Sequence, residues 1–356
     1  MFFATAMQGF LPNLILPFFI SLVISFALSP FIIKLASRFG FVDDPKKVHP
    51  GILHSIPIPR AGGVAMFLGF AITTLIFVPW DLKVLGLVLG SFFTVLIGTI
   101  DDKWPLSPYL RLLLQPLTAL MVIGLGVRIP NGILSNPWGG YITLPYFWEV
   151  LLLVFWMVWV MNMVNWGKGV SQLSGIGTIA FLVLAVVSLR YQAGNPDQMR
   201  TALLAVILAG SCLSFLPFNF PLEKMLPGFG ASTFIGFNIA VLAILSGGKL
   251  AAALIVLGLP MLDMGIAIVR RIKNKKNPFI GDREHFYHKL LDLGFSKRVV
   301  ILIYWAITLI LGFLAIGLKR EDKILVLLLL SIIVVSLFVG ITLILSRLPR
   351  KNNLQG

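Results

Sequence analysis

The stretch "FTVLIGTIDDKWPLS", residues 93–107, is an apolar run that stops abruptly at two adjacent carboxylates, Asp101 and Asp102. The surrounding chain carries a formal net charge of +15, so a double acid at the lip of a hydrophobic segment needs a physical reason. Of the 356 residues, 58% are hydrophobic and 12% are charged. Soluble globular chains carry about a quarter charged residues. The sequence therefore reads as an integral membrane protein whose length is counted in spans.

A window of about 20 residues gives an all-α, polytopic membrane protein of about eleven transmembrane helices. The spans fall at 11–36, 61–80, 84–100, 107–127, 147–164, 173–189, 201–217, 230–247, 249–269, 299–318 and 324–346. Backbone polar groups in lipid must be satisfied within the segment, so these runs are read as helices. Short connections such as "PWDLK" (79–83) make neighbours antiparallel. The turn-rich "RIPNGILSNPWGGYITLP", residues 128–145, predicts a small hairpin on the membrane surface. The N-terminal run 11–36 is longer than a signal-peptide core and lacks a basic leader and a cleavage site, so it is read as a retained span. The whole, residues 1–356, reads as a single integral membrane domain. The lone cysteine, Cys212, excludes an internal disulfide and offers no metal cluster.

Basic residues orient the chain. With the N-terminus outside, most of the 29 Lys and Arg residues fall on the inner segments. This places the loops 37–60, 101–106, 165–173, 218–230 and 270–298 in the cytoplasm, together with Asp101 and Asp102. The positive charge is explained by topology and by anionic lipid headgroups, which removes it as an argument for nucleic acid.

Other polar residues gather on the same face. All four histidines are there: His49 and His54 in "DDPKKVHPGILHSIPIPRAGG" (43–63), and His285 and His288 in "NPFIGDREHFYHKLLDLG" (277–294). Asn162 and Asn165 of "NMVNWGKGVSQLSG" (162–175), Asn219 of "PFNFPLEKMLPGFGAS" (217–232) and Asp263 join them. Polar residues in spans are costly and tend to face a bundle interior or a site. The set suits phosphoryl transfer. Adjacent carboxylates can hold a hydrated Mg²⁺ shared with substrate phosphates, or one can act as a base, while Arg, Lys and His offer donors to phosphate oxygens. A pocket of this kind at a membrane surface fits a lipid phosphate meeting a nucleotide sugar. Each piece alone is weak, since a "DD" after a span is commonly a solvated helix end and "KNKK" at 273–276 is ordinary inner-face charge.

In motif order, the chain resembles the polyprenyl-phosphate N-acetylhexosamine-1-phosphate transferases from about Asp43 to Gly294. Residues 43–63 look like the family's first loop, "D-x-P…R-x-H…P-R-x-G-G". "GTIDDKWPLSPYLRLLLQ" (98–115) is similar to its "G-x-x-D-D" motif and the K/R-x-x-x-Q helix that follows. "GDREHFYHKLLDLG" matches "D-R-x-H-x-H-H-R-L-L", with Tyr287 in place of the middle histidine. The eleven-span reading suits the N-acetylglucosamine branch better than the ten-span muramoyl-pentapeptide branch.

The resemblance implies transfer of an N-acetylhexosamine 1-phosphate from a UDP-sugar to polyprenyl phosphate, with release of UMP. The implied partners are the polyprenyl phosphate lipid, UDP-N-acetylhexosamine and the membrane, with a homodimer left open. The implied cofactor is Mg²⁺ or Mn²⁺. Asp101 and Asp102 would be the lipid-phosphate base and its partner, or metal ligands. Arg283, His285 and His288 would hold phosphate, Asn162 and Asn165 would order the uridine or diphosphate side, and Lys46, His49, Lys168, Asn219 and Asp282 would join them in binding substrate or phosphate.

Two motifs depart from the family. In "N-x-x-N-x-x-D-G-x-D-G" both asparagines stand, but the acids fall on Lys168 and Ser171. In "F-N-x-x-P-A-K-I-F-M-G-D-S-G-S" the acidic metal-ligand position falls on Phe229. A lysine at 168 can neutralise a diphosphate as a point charge, which would lower the dependence on metal. Three readings follow: an active transferase, a weakened relative that binds polyprenyl phosphate or partner enzymes, and a transporter. The third would want ionisable residues at mid-bilayer, whereas here they sit at helix ends and in loops.

Overall fold

The computed structural model describes residues 2–45, 55–135, 140–167, 169, 171–190, 195–220, 223–247, 249–276, 285–319 and 322–347. Helices dominate: α1 (Phe2–Arg38), α2 (Gly62–Phe77), α3 (Leu82–Lys103), α4 (Pro108–Gly124), α5 (Tyr146–Trp166), α6 (Leu173–Arg190) and α7 (Pro196–Ser214). They continue as α8 (Leu216–Asn219), α9 (Gly228–Leu245), α10 (Leu250–Val256), α11 (Gly258–Lys273), α12 (Phe286–Asp292), α13 (Lys297–Gly317) and α14 (Asp322–Arg347). Two antiparallel pairs complete the described elements: β1 (Val42–Asp43) with β2 (Ile58–Pro59), and β3 (Ile133–Ser135) with β4 (Tyr141–Thr143).

The protein is an all-α, multi-pass membrane protein, but the expected count of eleven spans is not reproduced. Among the described residues, eight helices are long and apolar enough to cross a bilayer, and nine if α10 and α11 form one span bent by 80°. The bend has a local cause. Pro260 has no N–H to return to the Val256 carbonyl, which leaves one hydrogen bond unmade at the break. The other two expected spans, α2 and α4, have only 16 and 17 residues. At 1.5 Å per residue that is about 24–26 Å, short of a hydrocarbon core of about 30 Å.

The centre of the bundle is α9, which is apolar on all sides and buried along nearly its whole length. Glycines allow the closest approaches. A Cβ on Gly98 of α3 would overlap the Gly230 backbone, and one on Gly63 of α2 would overlap the backbone of Gly230 and Ala231. Buried polar stitches add to the packing: Ser91 donates to Asn238 Oδ1 at 3.0 Å, and Trp156 Nε1 donates to the Ala240 carbonyl at 3.1 Å.

At one end of the bundle lies the hairpin expected over 128–145, present as β3 and β4 with Ile133 opposite Thr143. Just before it, the fully buried Glu149 carboxylate accepts the Ile129 amide and pairs with Arg128, whose pKa is raised by that hydrogen bond. Lys83–Asp197 and Arg200–Asp81 ion pairs join the starts of α3 and α7 at the same end. The opposite end holds the C-termini of α1, α3, α5 and α11 and the N-termini of α2, α4, α6, α9 and α13, and the sequence motifs assemble there. The strands β1 and β2, not foreseen from the sequence, close the first loop. Arg60 pairs with Asp43 at 2.6 Å, and the Leu226 amide donates to the Pro59 carbonyl, tying this loop to the turn before α9.

Candidate functional site

The site begins with α3 and α9. Asp101 and Asp102 are consecutive on the last turn of α3, about 100° apart around its axis, so their carboxylates leave in different directions. Asp102 reaches the start of α9. It accepts the Phe229 amide at 2.9 and 3.0 Å and the Gly230 amide at 3.3 Å. A helix N-terminus buried in protein leaves amides that need acceptors, and its dipole favours a negative charge. Asp102 meets both needs. Gly228, at φ +66°, makes the turn; a Cβ there would run into the Asp102 carboxylate.

Asp101 faces α4 instead. Its Oδ1 accepts the Leu106 amide at 2.9 Å and Arg111 Nε at 2.7 Å. Ser107 caps α4 and Pro108 starts it, which puts Arg111 in the first turn, pointing back to the acid. The Arg111 guanidinium also lies over the Phe229 ring, 5.0 Å from its centroid. Arg111 and Phe229 border a cavity of about 430 Å³, mainly apolar, between α4, α5 and α11, with Leu112, Phe155, Trp159, Met264 and Ile268 among its walls.

Asn162, Asn165 and Trp166 of α5 line the same cavity. Asn162 Nδ2 donates to Gln115 Oε1 at 2.7 Å and to the Val158 carbonyl at 2.8 Å, and Asn165 Oδ1 accepts from Ser232 of α9 at 2.9 Å. Trp166 then leads to the histidine loop, its ring edge-on to His285 at 6.4 Å and under Arg271 at 5.0 Å. His285 Nδ1 lies 3.0 Å from Asp263 Oδ2, while Asp263 Oδ1 accepts the Phe286 amide at 2.8 Å. A carboxylate on Nδ1 fixes the ring and sets the tautomer with the proton there. Tyr287 stacks on His285 at 5.9 Å and meets His288 at 4.0 Å, and a Cβ on Gly169 would overlap its ring, so Gly169 also lies against this cluster.

Of the residues singled out from the sequence, Asn162, Asn165 and Phe229 line one cavity, Asp101 reaches it through Arg111, and His285 through Trp166. His288 is buried behind Tyr287. Asn219 serves its own loop, donating to the Met225 carbonyl at 2.9 Å in the turn that leads into α9. Lys46, His49, Lys168, Asp282 and Arg283 lie outside the described residues. The sequence reading quoted Arg111 and Gln115 only as parts of a motif, noted Asp263 without a role and passed over Trp166. The available signal for Arg111 was its place in the first turn of a helix that begins just after the double acid.

Known proteins are similar to this chain in sequence. The family model "Glycosyl transferase family 4" matches residues 84–247, from the start of α3 to just past α9. A "Decaprenyl-phosphate N-acetylglucosaminephosphotransferase" of Mycobacterium tuberculosis is 33% identical over 321 residues, covering 80% of this chain and 77% of the relative. The chain belongs to the polyprenyl-phosphate hexosamine-1-phosphate transferase family. A "Probable undecaprenyl-phosphate N-acetylglucosaminyl 1-phosphate transferase" of Bacillus subtilis is 28% identical over 325 residues, covering 86% of this chain and 85% of the relative. An "Undecaprenyl-phosphate alpha-N-acetylglucosaminyl 1-phosphate transferase" of Haemophilus influenzae is 31% identical over 283 residues, with 76% and 77% covered.

For a transferase of this family the metal position invites a test of fit, and the described residues do not meet it. Phe229 offers no oxygen, Asp102 accepts the amides of α9, and Asp101 Oδ1 accepts the Leu106 amide and the Arg111 guanidinium. Among the described residues, no group of three His, Cys, Asp or Glu side chains is placed to hold a metal ion. A dication beside Asp101 would meet the positive charge of Arg111 at short range, where repulsion is strong.

Proposed function

We propose that this chain transfers an N-acetylhexosamine 1-phosphate from a UDP-sugar to polyprenyl phosphate. The reaction would run at the cytoplasmic face of a bacterial plasma membrane and start a lipid intermediate of a cell-wall or surface glycan. One observation carries the reading: an apolar cavity of about 430 Å³ in a membrane bundle is bordered by Arg111, whose guanidinium pairs with Asp101. An isoprenoid chain matches the apolar walls, and its phosphate matches the charged end. The relatives' names supply the same acceptor and an N-acetylglucosamine phosphate donor. The excess of Lys and Arg on the loops at that end favours the cytoplasmic placement.

In this reading an oxygen of the lipid phosphate attacks the β-phosphorus of the UDP-sugar. A new P–O bond forms to the lipid phosphate, the bond from the β-phosphorus to the bridging oxygen breaks, and UMP departs with that oxygen and its electron pair. Asp101 accepts the proton of a monoprotonated acceptor. His285, oriented by Asp263, holds donor phosphate, with His288 packed behind it against Tyr287, and Asn162 and Asn165 order the nucleotide side.

A second reading, a relative that binds polyprenyl phosphate with little turnover, is favoured by Phe229 at the acidic position of the family. Incubation of purified protein with sugar-labelled UDP-N-acetylglucosamine and undecaprenyl phosphate separates the two. Label passing into a solvent-extractable lipid supports transfer, and its absence with lipid binding intact supports the second reading.

A further inference from the structure

The substitution that removes an acid at Phe229 also builds something. Two contacts fix the Arg111 guanidinium: the Asp101 carboxylate on its Nε edge at 2.7 Å and the Phe229 ring beneath its plane at 5.0 Å. No hydrogen bond to a described residue engages its two terminal nitrogens, and Arg111 borders the apolar cavity. An aspartate at 229 would draw the guanidinium into a second ion pair. A phenylalanine supports it from the face and leaves the outer N–H groups for a ligand. A guanidinium held in one orientation, with a free fork at the mouth of an apolar cavity, is a seat for a phosphate monoester on a lipid.

We propose that this chain binds its lipid phosphate through Arg111, braced on Phe229 and Asp101, and that this binding needs no divalent cation. The inference rests on reading the cavity as the lipid-phosphate seat. It gives one physical account of two departures at once: the lost ligand at 229 and the misfit of the remaining carboxylates to a metal.

The test uses the full-length protein in detergent micelles with geranylgeranyl phosphate as probe and geranylgeraniol as the uncharged control. Affinity for the phosphate is measured with Mg²⁺ and with EDTA, and Mn²⁺ binding is followed by electron paramagnetic resonance. Wild type should bind the phosphate equally in both media and show no tight Mn²⁺ site, while Phe229→Asp, which draws the guanidinium into a second ion pair, should weaken the phosphate. Arg111→Ala should weaken the phosphate about tenfold or more, the scale of a lost charge-assisted bidentate contact, and leave the alcohol unchanged, with Arg111→Lys in between. Loss of phosphate binding in EDTA, a tight Mn²⁺ site in wild type, or an Arg111→Ala protein that keeps its phosphate affinity would each overturn the proposal. If Arg111→Ala fails to fold, the wild-type EDTA comparison and the Mn²⁺ spectrum decide. Metal-free phosphate binding without any UMP release would sink the transferase reading and leave this one standing. Strictly Mg²⁺-dependent UMP release with a tight Mn²⁺ site would do the reverse.

Discussion

Asp102, on the last turn of α3, holds the Phe229 amide with both carboxylate oxygens, at 2.9 and 3.0 Å, and so closes the N-terminus of the most buried helix in the bundle. The double acid at the lip of an apolar run therefore divides its work. One carboxylate caps α9, and its neighbour orients Arg111 at the cavity.

The cap makes Asp102 a stability residue. Asp102→Ala should lower stability by about 1–2 kcal/mol, the upper part of the range for a lost cap because buried amides are left without an acceptor. Asp102→Asn, which keeps an acceptor oxygen, should lose less. Thermal melting of the purified variants checks this. A fully stable Asp102→Ala protein without turnover would assign the residue to chemistry instead.

Asp101 should behave differently. Asp101→Asn should cut turnover by about a hundredfold or more, the scale of a lost general base, with melting temperature and membrane insertion close to wild type. Full activity would reduce Asp101 to an anchor for Arg111.

Much of this was legible in the sequence because lipid imposes a simple grammar. Apolar runs must be helices, and short polar links must be turns. All eleven apolar segments contain helix, and the hairpin at 128–145 is present. The count of eleven spans is not confirmed: α2 and α4 have only 16 and 17 residues, and α10 and α11 are bent by 80° at their junction. At the site, the types of residue were readable but not their directions. Nothing in "DD" tells that one carboxylate turns to α9 and the other to α4, because this depends on the crossing of α3 and α9 at Gly98 and Gly230. The Asp263–His285 pair was hidden for a like reason: the two residues are 22 apart in sequence and meet through packing.

Gly228 provides a second check on the cap. Gly228→Ala forces a side chain into the left-handed region at φ +66° and against Asp102, so it should destabilise by about 1 kcal/mol or more. Gly124→Ala, where an added Cβ meets nothing within 4 Å, should be close to neutral. Equal melting temperatures for the two variants would contradict the described turn.

Orientation can be measured directly. Reporter fusions after Arg60, Lys103 and Lys276 should report cytoplasm, and fusions within 131–140 and after Arg320 should report the outside, as the basic-residue bias requires. A cytoplasmic signal from 131–140 would move the whole site to the other face of the membrane.

The central claim is transfer of a sugar phosphate to a lipid phosphate, and UMP release by the purified protein tests it most directly. With UDP-N-acetylglucosamine and undecaprenyl phosphate together, wild type should release UMP in proportion to the lipid supplied. Asp101→Asn should release about a hundredfold less, and omission of the lipid should abolish release. A folded wild-type protein that binds undecaprenyl phosphate and releases no UMP from any UDP-N-acetylhexosamine would contradict the account.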